Sequence, residues 1–379
     1  MNFRQDESHE QLQEMYREFA ENEVKPIAKE IDESMRFPEE NVAKMAEMGL
    51  LGIPFSEEYG GAGMDTLSYV QCIEELSKCC ATTGVIVSAH TSLCATPIHT
   101  FGTEDQKVKY LKPLASGEKL GAFGLTEPVA GTDASMQKTT AVLEGDHYVL
   151  NGSKIFITNA GYADIYIVFA MTDKSKGTKG ISAFIVEKDF QGFSVGTHEL
   201  KMGIRASSTC ELFFDNCIVP KENLLGEEGK GFGIAMATLD GGRIGIAAQA
   251  LGIAEGAIEE TVKYVKERVQ FGKSISQFQN TQFELAQMRA STEAAKLLVY
   301  QAACAKDDHE KYTHLAAMAK LIASRNATNV TSRCLQLFGG YGYSSDYPIE
   351  RMMRDAKITE IYEGTSEVQM MVISGWMLR

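Results

Sequence analysis

The middle of the chain contains the stretch VLNGSKIFIT at residues 149–158, and this stretch indicates the fold class. It is rich in β-branched and apolar residues, which is typical of strands. The dipeptide Asn151-Gly152 inside it suits a type I′ turn. We therefore predict a hairpin here, with strands in the flanking runs 138–150 and 153–170.

Two further runs, residues 165–169 and 181–186, have the same β-branched and aromatic character. The polar segment 174–180 between them is typical of a turn. Together with the predicted hairpin, these runs indicate a β domain over residues 121–230.

Helical periodicity occupies the chain on both sides of this β region. Leu12, Met15 and Phe19 recur at helical spacing with charged residues between them, and Pro38 is typical of a helix entry. A glycine-rich loop is expected at residues 54–64. The predicted helices cover residues 39–48, 69–80, 85–101, 234–257, 282–304 and 314–338.

Segregation of helices, strands and helices favours an α+β fold over alternating βαβ units. The chain has no Gly-x-Gly-x-x-Gly after a first strand, which argues against a Rossmann domain. We expect a helical N-terminal domain at residues 1–120, the β domain at 121–230 and a helical bundle at 231–379.

The composition narrows the class of protein. A net charge of −14 over 379 residues argues against a general nucleic-acid partner, because phosphate binding requires a positive surface. No apolar run is long enough to span a bilayer, and the polar residues 1–20 do not resemble a secretory signal. The cysteines form no Cys-x-x-Cys pair, and no histidine has metal-ligand spacing. We therefore predict reduced, mostly buried thiols, no metal site and a cytoplasmic location.

The most informative site candidate is Tyr362-Glu363-Gly364 near the C-terminus, which Thr365-Ser366-Glu367 follows. An aromatic side chain beside a carboxylate excludes water and raises its pKa, which suits a general base. The adjacent glycine lets a ligand approach the backbone. On local chemistry alone the segment is equally compatible with a surface turn.

Several separated motifs resemble the acyl-CoA dehydrogenase family of flavoenzymes, and the pattern is most similar to bacterial short-chain, butyryl-CoA members. The resemblance covers nearly the whole chain. Its motifs are the C-terminal segment above together with GGAG at 60–63, FGLTEP at 123–128, AGTD at 130–133, RVQFG at 268–272 and QLFGGYGY at 336–343. It implies the same layout: a helical domain, a central β domain and a C-terminal four-helix bundle.

The resemblance implies a reaction and a base. Glu363 would remove the α-proton of a short-chain acyl-CoA, and N5 of FAD would accept the β-hydride. Some family members place the base near residue 242, but this chain has Gly242 there. Butyryl-CoA and crotonyl-CoA are the implied substrate pair, in either direction. The implied partners are an electron-transferring flavoprotein and further copies of the chain in a homotetramer.

The resemblance also implies binding residues. Many relatives carry Trp where Phe156 stands, and many carry Gln where Glu367 stands. The residues that match FAD positions are Phe123, Leu125, Thr126, Thr132, Phe156, Thr158, Arg268, Phe271, Gln279, Gln336, Gly339, Gly340, Thr365 and Glu367. Those that match substrate positions are Thr132, Asp240, Arg243, Tyr362 and Gly364.

Three alternatives stay open at this point. Without the resemblance, the segments around Phe123 and Phe156 are compatible with ordinary core strands, and Arg268 with a solvated surface cation. Arg243 is compatible with a role at a domain interface. The chain is also compatible with a dehydrogenase of branched, glutaryl or aryl acyl-CoA, or with a non-catalytic flavin-binding subunit. We expect residues 85–97, with Ser88, His90, Thr91 and Leu93, to line the floor of the acyl pocket.

Overall fold

Three regions follow one another in the computed structural model, which describes residues 5–378. Helices come first, an eight-stranded sheet second and long helices third. The predicted α+β class is therefore confirmed.

The first region is built from short helices whose ends carry the expected caps. Asp6 accepts a hydrogen bond from the His9 N–H at the start of the first helix, and Pro38 directly precedes the third. The helices are α1 (Glu7–Phe19), α2 (Ala28–Ser34), α3 (Glu39–Glu47), α4 (Thr66–Cys79), α5 (Ala81–Ser88), α6 (Thr96–Phe101), α7 (Glu104–Gln106) and α8 (Lys112–Ala115). Wider π-type turns at Ala20–Val24, Ala89–Ala95 and Lys107–Leu111 join some of them.

The second region is a curved sheet. Its strands are β1 (Gly121–Gly124), β2 (Thr140–Glu144), β3 (His147–Thr158), β4 (Ile165–Met171), β5 (Ile181–Glu187), β6 (Phe193–His198), β7 (Thr209–Pro220) and β8 (Leu224–Leu225). Seven of them lie in the order β6-β7-β3-β2-β4-β5-β8, and β1 pairs in parallel with β4. The strands predicted at 165–169 and 181–186 are β4 and β5, which pair antiparallel.

The predicted hairpin turn at Asn151-Gly152 is wrong. β3 runs through this dipeptide without reversing, and the chain turns instead between β2 and β3, at residues 145–146. Gly152 has φ 146° and lies at a register shift between β3 and β7. A Cβ there would lie 2.5 Å from Thr139 Oγ1, so glycine serves a close approach between strands, which is the other common role of glycine in a strand.

The third region packs against the first. It comprises α9 (Gly231–Glu267), the short pair β9 (Val269–Gln270) and β10 (Lys273–Ser274), α10 (Gln279–Asp307), α11 (Thr313–Phe338), α12 (Ile349–Ile358) and α13 (Ser366–Met377). α9 contacts α4 closely because Gly252 and Gly256 lack side chains. A Cβ at these positions would lie 2.2 Å from the Glu74 carbonyl oxygen and 2.3 Å from that of Lys78.

Buried charges reinforce the junction of α4, α9 and α10. Lys78 forms ion pairs with Glu75 at 2.9 Å and with Glu255 at 2.8 Å. Lys296 of α10 reaches Glu74 at 2.7 Å and Glu255 at 3.3 Å. Because each buried carboxylate has a cationic partner, the junction avoids the cost of an isolated buried charge.

All eight cysteines are buried, and none forms a disulfide, as predicted. None of the helices in residues 5–378 combines the length and the apolarity that crossing a bilayer requires.

Candidate active site

Glu363 lies in the turn that joins α12 to α13. Its φ is 52° and that of Gly364 is 94°, so two consecutive residues adopt left-handed backbone conformations. Such a conformation is unfavourable for a residue with a side chain and persists only where the surroundings impose it. α13 then begins at the N-cap Thr365, whose side-chain oxygen accepts from the Val368 N–H.

The Glu363 carboxylate projects onto α9 at Gly242. A Cβ at residue 242 would lie 2.2 Å from Glu363 Oε2 and 2.7 Å from Leu93 Cδ2, so only glycine leaves room for the carboxylate. Oε2 is shielded from solvent and has no hydrogen-bond partner within residues 5–378. A buried carboxylate oxygen without a partner is costly and indicates a functional group.

Two cations act on this carboxylate. Burial raises the pKa of Glu363 to about 7, and the positive charges of Lys320 and Arg243 offset part of that rise. Arg243 is buried and forms an ion pair with Asp240 at 2.6 Å. Asp240 also accepts from the Thr313 hydroxyl at 2.6 Å. The structure therefore brings Asp240 and Arg243 together beside the candidate base.

The backbone around Glu363 is held by two side chains. Lys320 Nζ donates to the Gly364 carbonyl at 2.7 Å. Gln369 Nε2 donates to the same carbonyl at 2.8 Å and to that of Glu363 at 3.3 Å. The Glu363 N–H donates to no partner in the described part of the chain, so it is available to a ligand.

A group of packed and hydrogen-bonded side chains lies next to the carboxylate. The Tyr362 hydroxyl donates to Gln249 Oε1, and Gln249 in turn donates to the Ala81 carbonyl at 2.9 Å. Tyr69 lies close enough to Glu363 for the carboxylate to affect its pKa, which burial raises first. A Cβ at Gly245 would lie 2.4 Å from Ser88 Oγ and 2.9 Å from the Tyr69 hydroxyl.

Residues 85–97 were expected to line the floor of the acyl pocket, and only some of their side chains lie beside the candidate site. Ser88 and Leu93 lie on the α9 side, next to Gly245 and Gly242. His90 instead uses both ring nitrogens on the backbone of Leu114 and Gly121, and Thr91 donates to the Leu51 carbonyl. These two side chains stabilise the core.

A second group of predicted residues meets where β1 ends beside β3. The Ile155 N–H donates to the Thr126 carbonyl at 2.9 Å, which joins the segment after β1 to β3. Phe156 has φ 59°, and its side chain is 60% exposed. The hydroxyls of Thr126 and Thr158 have no partner among residues 5–378. Phe123 is partly buried and Leu125 buried nearby, whereas Thr132 is exposed in the following loop.

A buried ion pair fixes this loop. Lys154 Nζ lies 2.7 Å from Glu127 Oε1 and donates to the Leu125 carbonyl at 3.2 Å. Glu127 accepts from the N–H groups of Lys138 and Thr139. Burial lowers the pKa of Lys154 to about 8, which the adjacent carboxylate opposes.

A third group lies at the far ends of the long helices. The Arg268 guanidinium stands 5.1 Å from the ring centre of Tyr341, which brings the RVQFG and QLFGGYGY segments together. Phe271 is 94% exposed, with φ 53°. Gln279 begins α10, Gln336 lies in the last turn of α11, and Gly339 and Gly340 follow with open space where side chains would be. Glu367 is exposed in the first turn of α13.

Sequence reasoning missed Lys320, Gln249, Gln369 and Tyr69. Each lies inside a helix without a motif of its own. Lys320, Gln249 and Tyr69 reach the site through tertiary packing, whereas Gln369 contacts the turn five and six residues before it. A lysine within the Ala-rich run 316–323 was the one available signal.

A shielded carboxylate oxygen without a hydrogen-bond partner, in a helix–sheet–helix fold, is typical of an enzyme with a general base. Models of the N-terminal, middle and C-terminal domains of acyl-CoA dehydrogenases match residues 6–118, 122–217 and 229–378. The chain belongs to the acyl-CoA dehydrogenase family.

Individual relatives also match this chain over its full length. The short-chain specific acyl-CoA dehydrogenase of Clostridium acetobutylicum is 65% identical over 379 residues, covering 100% of both chains. The structure of butyryl-CoA dehydrogenase from Megasphaera elsdenii matches with a TM-score of 0.98 and 55% identity, covering 100% of both chains. A chain from the structure of the electron transferring flavoprotein of Acidaminococcus fermentans matches with a TM-score of 0.99 and 58% identity, again covering 100% of both.

Proposed function

We propose that the protein is a FAD-dependent short-chain acyl-CoA dehydrogenase that interconverts butyryl-CoA and crotonyl-CoA. The observation that carries the proposal is Oε2 of Glu363, which is shielded from solvent, has no hydrogen-bond partner within residues 5–378 and lies against Gly242 in a chain of this family. We take the domains as residues 1–120, 121–230 and 231–379, and the location as cytoplasmic.

Glu363 acts as the base. Its carboxylate takes the α-proton of the acyl-CoA, and a pKa of about 7 suits a base that works near neutral pH. The free N–H of Glu363 donates to the thioester oxygen, where negative charge develops as the proton leaves. When bound, FAD supplies the acceptor for the hydride that departs from the β-carbon, so that a double bond forms between the two carbons.

The residues present fit a flavin. Phe156 offers an exposed aromatic face, and the free hydroxyls of Thr126 and Thr158 lie on the segment after β1 and on β3, which a hydrogen bond joins. The phosphates of the cofactor fit the third group of predicted residues, at the far ends of the long helices. There Arg268 provides a fixed positive charge for phosphate. We assign FAD contacts to Phe123, Leu125, Thr126, Thr132, Phe156, Thr158, Arg268, Phe271, Gln279, Gln336, Gly339, Gly340, Thr365 and Glu367.

Within the third group, Arg268, Phe271 and Gln279 would serve FAD of a neighbouring subunit. Phe271 meets the ring of Phe278 edge-on, with 6.2 Å between the ring centres, but remains 94% exposed in a left-handed conformation, which favours a role between subunits. This is consistent with the proposed homotetramer. The proposed electron partner is an electron-transferring flavoprotein, which the Acidaminococcus match supports.

The acyl-CoA would lie between Glu363 and α9. We assign substrate contacts to Thr132, Asp240, Arg243, Tyr362 and Gly364. The Tyr362–Gln249 hydrogen bond joins the residue before the base to α9, and we infer that this pair limits the length of the acyl chain.

Anaerobic absorbance of the purified holoenzyme tests the proposal. The bound flavin is titrated separately with butyryl-CoA, octanoyl-CoA, isovaleryl-CoA, glutaryl-CoA and an arylpropanoyl-CoA. We expect the fastest bleaching with butyryl-CoA. Faster bleaching with another member would reassign the substrate, and no bleaching with any member would favour the non-catalytic subunit.

A further inference from the structure

Lys320 is buried without a carboxylate partner. It lies on α11 with 0% of its surface exposed and forms no ion pair within residues 5–378. The other fully buried lysine named above, Lys154, is paired with Glu127 at 2.7 Å. An unpaired buried ammonium group is costly, so its retention requires a compensating role.

Within residues 5–378, the Lys320 side chain makes one hydrogen bond, which is directed at the backbone beside the base. Its Nζ donates to the Gly364 carbonyl oxygen at 2.7 Å. The side-chain amide of Gln369 donates to the same oxygen. This carbonyl terminates the two left-handed residues from which the Glu363 carboxylate projects. Removal of the stronger, charged donor would leave the turn free to relax toward ordinary backbone angles.

The positive charge of Lys320 also acts on the Glu363 carboxylate. Its interaction lowers the pKa of Glu363 more than that of Arg243 does, after burial has raised that pKa. Arg243 is already engaged by Asp240. The other titratable groups that act on Glu363 or Lys320 are Tyr69 of α4, Tyr362 and Glu360 of the same turn, and Glu367 of α13.

We propose that Lys320 is a positioning residue for proton abstraction: it holds the Gly364 carbonyl, fixes the backbone that aims the Glu363 carboxylate and favours its ionised form by charge. The inference rests on the proposed function, because it assigns Lys320 a role in that reaction. Lys320 itself touches neither the substrate nor the reacting atoms.

Infrared titration of the holoenzyme measures the ionisation of Glu363 without substrate. The band of its protonated carboxyl is assigned by its absence from Glu363→Gln. The variants are Lys320→Met, Lys320→Gln and Lys320→Arg, with flavin content and circular dichroism as checks of folding. Ser324→Ala is the matched control, since this buried hydroxyl on the same helix bonds only to the carbonyls of Lys320 and Leu321.

We expect Lys320→Met and Lys320→Gln to raise the pKa of Glu363 by about one unit or more, because an opposite charge is removed. The rate of flavin bleaching at pH 7 should then fall about five-fold for the first unit, because the ionised fraction falls from about one half to about one tenth, with KM changed by less than about three-fold. Lys320→Arg should restore most of both, and Ser324→Ala should match the wild type. If Lys320→Met does not fold, Lys320→Gln carries the same expectation.

An unchanged Glu363 titration in a folded, uncharged variant would overturn the proposal. An equal shift in Lys320→Arg would also overturn it, since a packing role alone would then explain the residue. Failure of the proposed function is separate: no acyl-CoA would bleach the wild-type flavin, while the infrared titration would still report on Lys320.

Discussion

Replacing Gly242 by alanine tests whether the position of the Glu363 carboxylate controls the reaction. The new Cβ would lie 2.2 Å from Glu363 Oε2, whereas ordinary contact begins at 3.4 Å. Leu93 Cδ2, at 2.7 Å, blocks movement of the helix surface on the other side. The carboxylate must therefore move by about 1 Å, and a misplacement of this size costs about 100-fold in rate.

The neighbouring residue offers a matched control. A Cβ at Gly241 would meet only Lys306 Nζ, at 3.6 Å, which is ordinary contact. Gly241→Ala and Gly242→Ala make the same change in helix propensity, about 1 kcal/mol in favour of the helix. Rapid-mixing absorbance of both variants with butyryl-CoA isolates the displacement of the base.

We expect Gly242→Ala to bleach its flavin about 100-fold more slowly than the wild type, and Gly241→Ala to bleach at the wild-type rate. Equal rates for all three proteins would refute the reasoning, because the carboxylate would then not need its place beside residue 242.

Three further predictions concern ionisation, chain length and the flavin loop. The pKa of Glu363 is raised from its ordinary value of 4.5 to about 7 in the folded state, so the wild-type protein loses stability as the pH rises through this range; thermal unfolding should show Glu363→Gln more stable by about 3 kcal/mol at pH 8, with the difference vanishing near pH 4. Gln249→Ala removes the partner of the Tyr362 hydroxyl and leaves space beside it, so the ratio of kcat/KM for hexanoyl-CoA over butyryl-CoA should rise about ten-fold in steady-state assays; an unchanged ratio would exclude the Tyr362–Gln249 pair as the limit on chain length. Lys154→Met leaves Glu127 buried and unpaired, so calorimetry should show a loss of about 3–5 kcal/mol, part of which the additional Glu127→Gln should recover; no recovery would contradict the pairing.

The sequence predicted the layout well because it depends on local periodicity. α11 was expected at residues 314–338 and spans Thr313–Phe338, and Pro38 marks the start of α3. The Asn151-Gly152 turn failed because the same dipeptide suits a close approach between strands, and only the position of Thr139 distinguishes the two.

Sequence reasoning could predict only those site residues that belong to a local motif. Glu363 stands out in its aromatic–acid–glycine context, and the structure places its carboxylate against Gly242, at the alternative base position. Lys320 and Gln249 were missed because their roles depend on residues 44 and 113 positions away along the chain. Such contacts arise from helix packing and leave no local pattern.

The most direct test of the account is the single-turnover rate of flavin bleaching by butyryl-CoA in Glu363→Gln. The exposed Glu310→Gln serves as a control for the loss of one carboxylate. We predict that Glu363→Gln binds butyryl-CoA and keeps its oxidised flavin spectrum, while the control bleaches like the wild type. Bleaching of Glu363→Gln at the wild-type rate would contradict the assignment of Glu363 as the base.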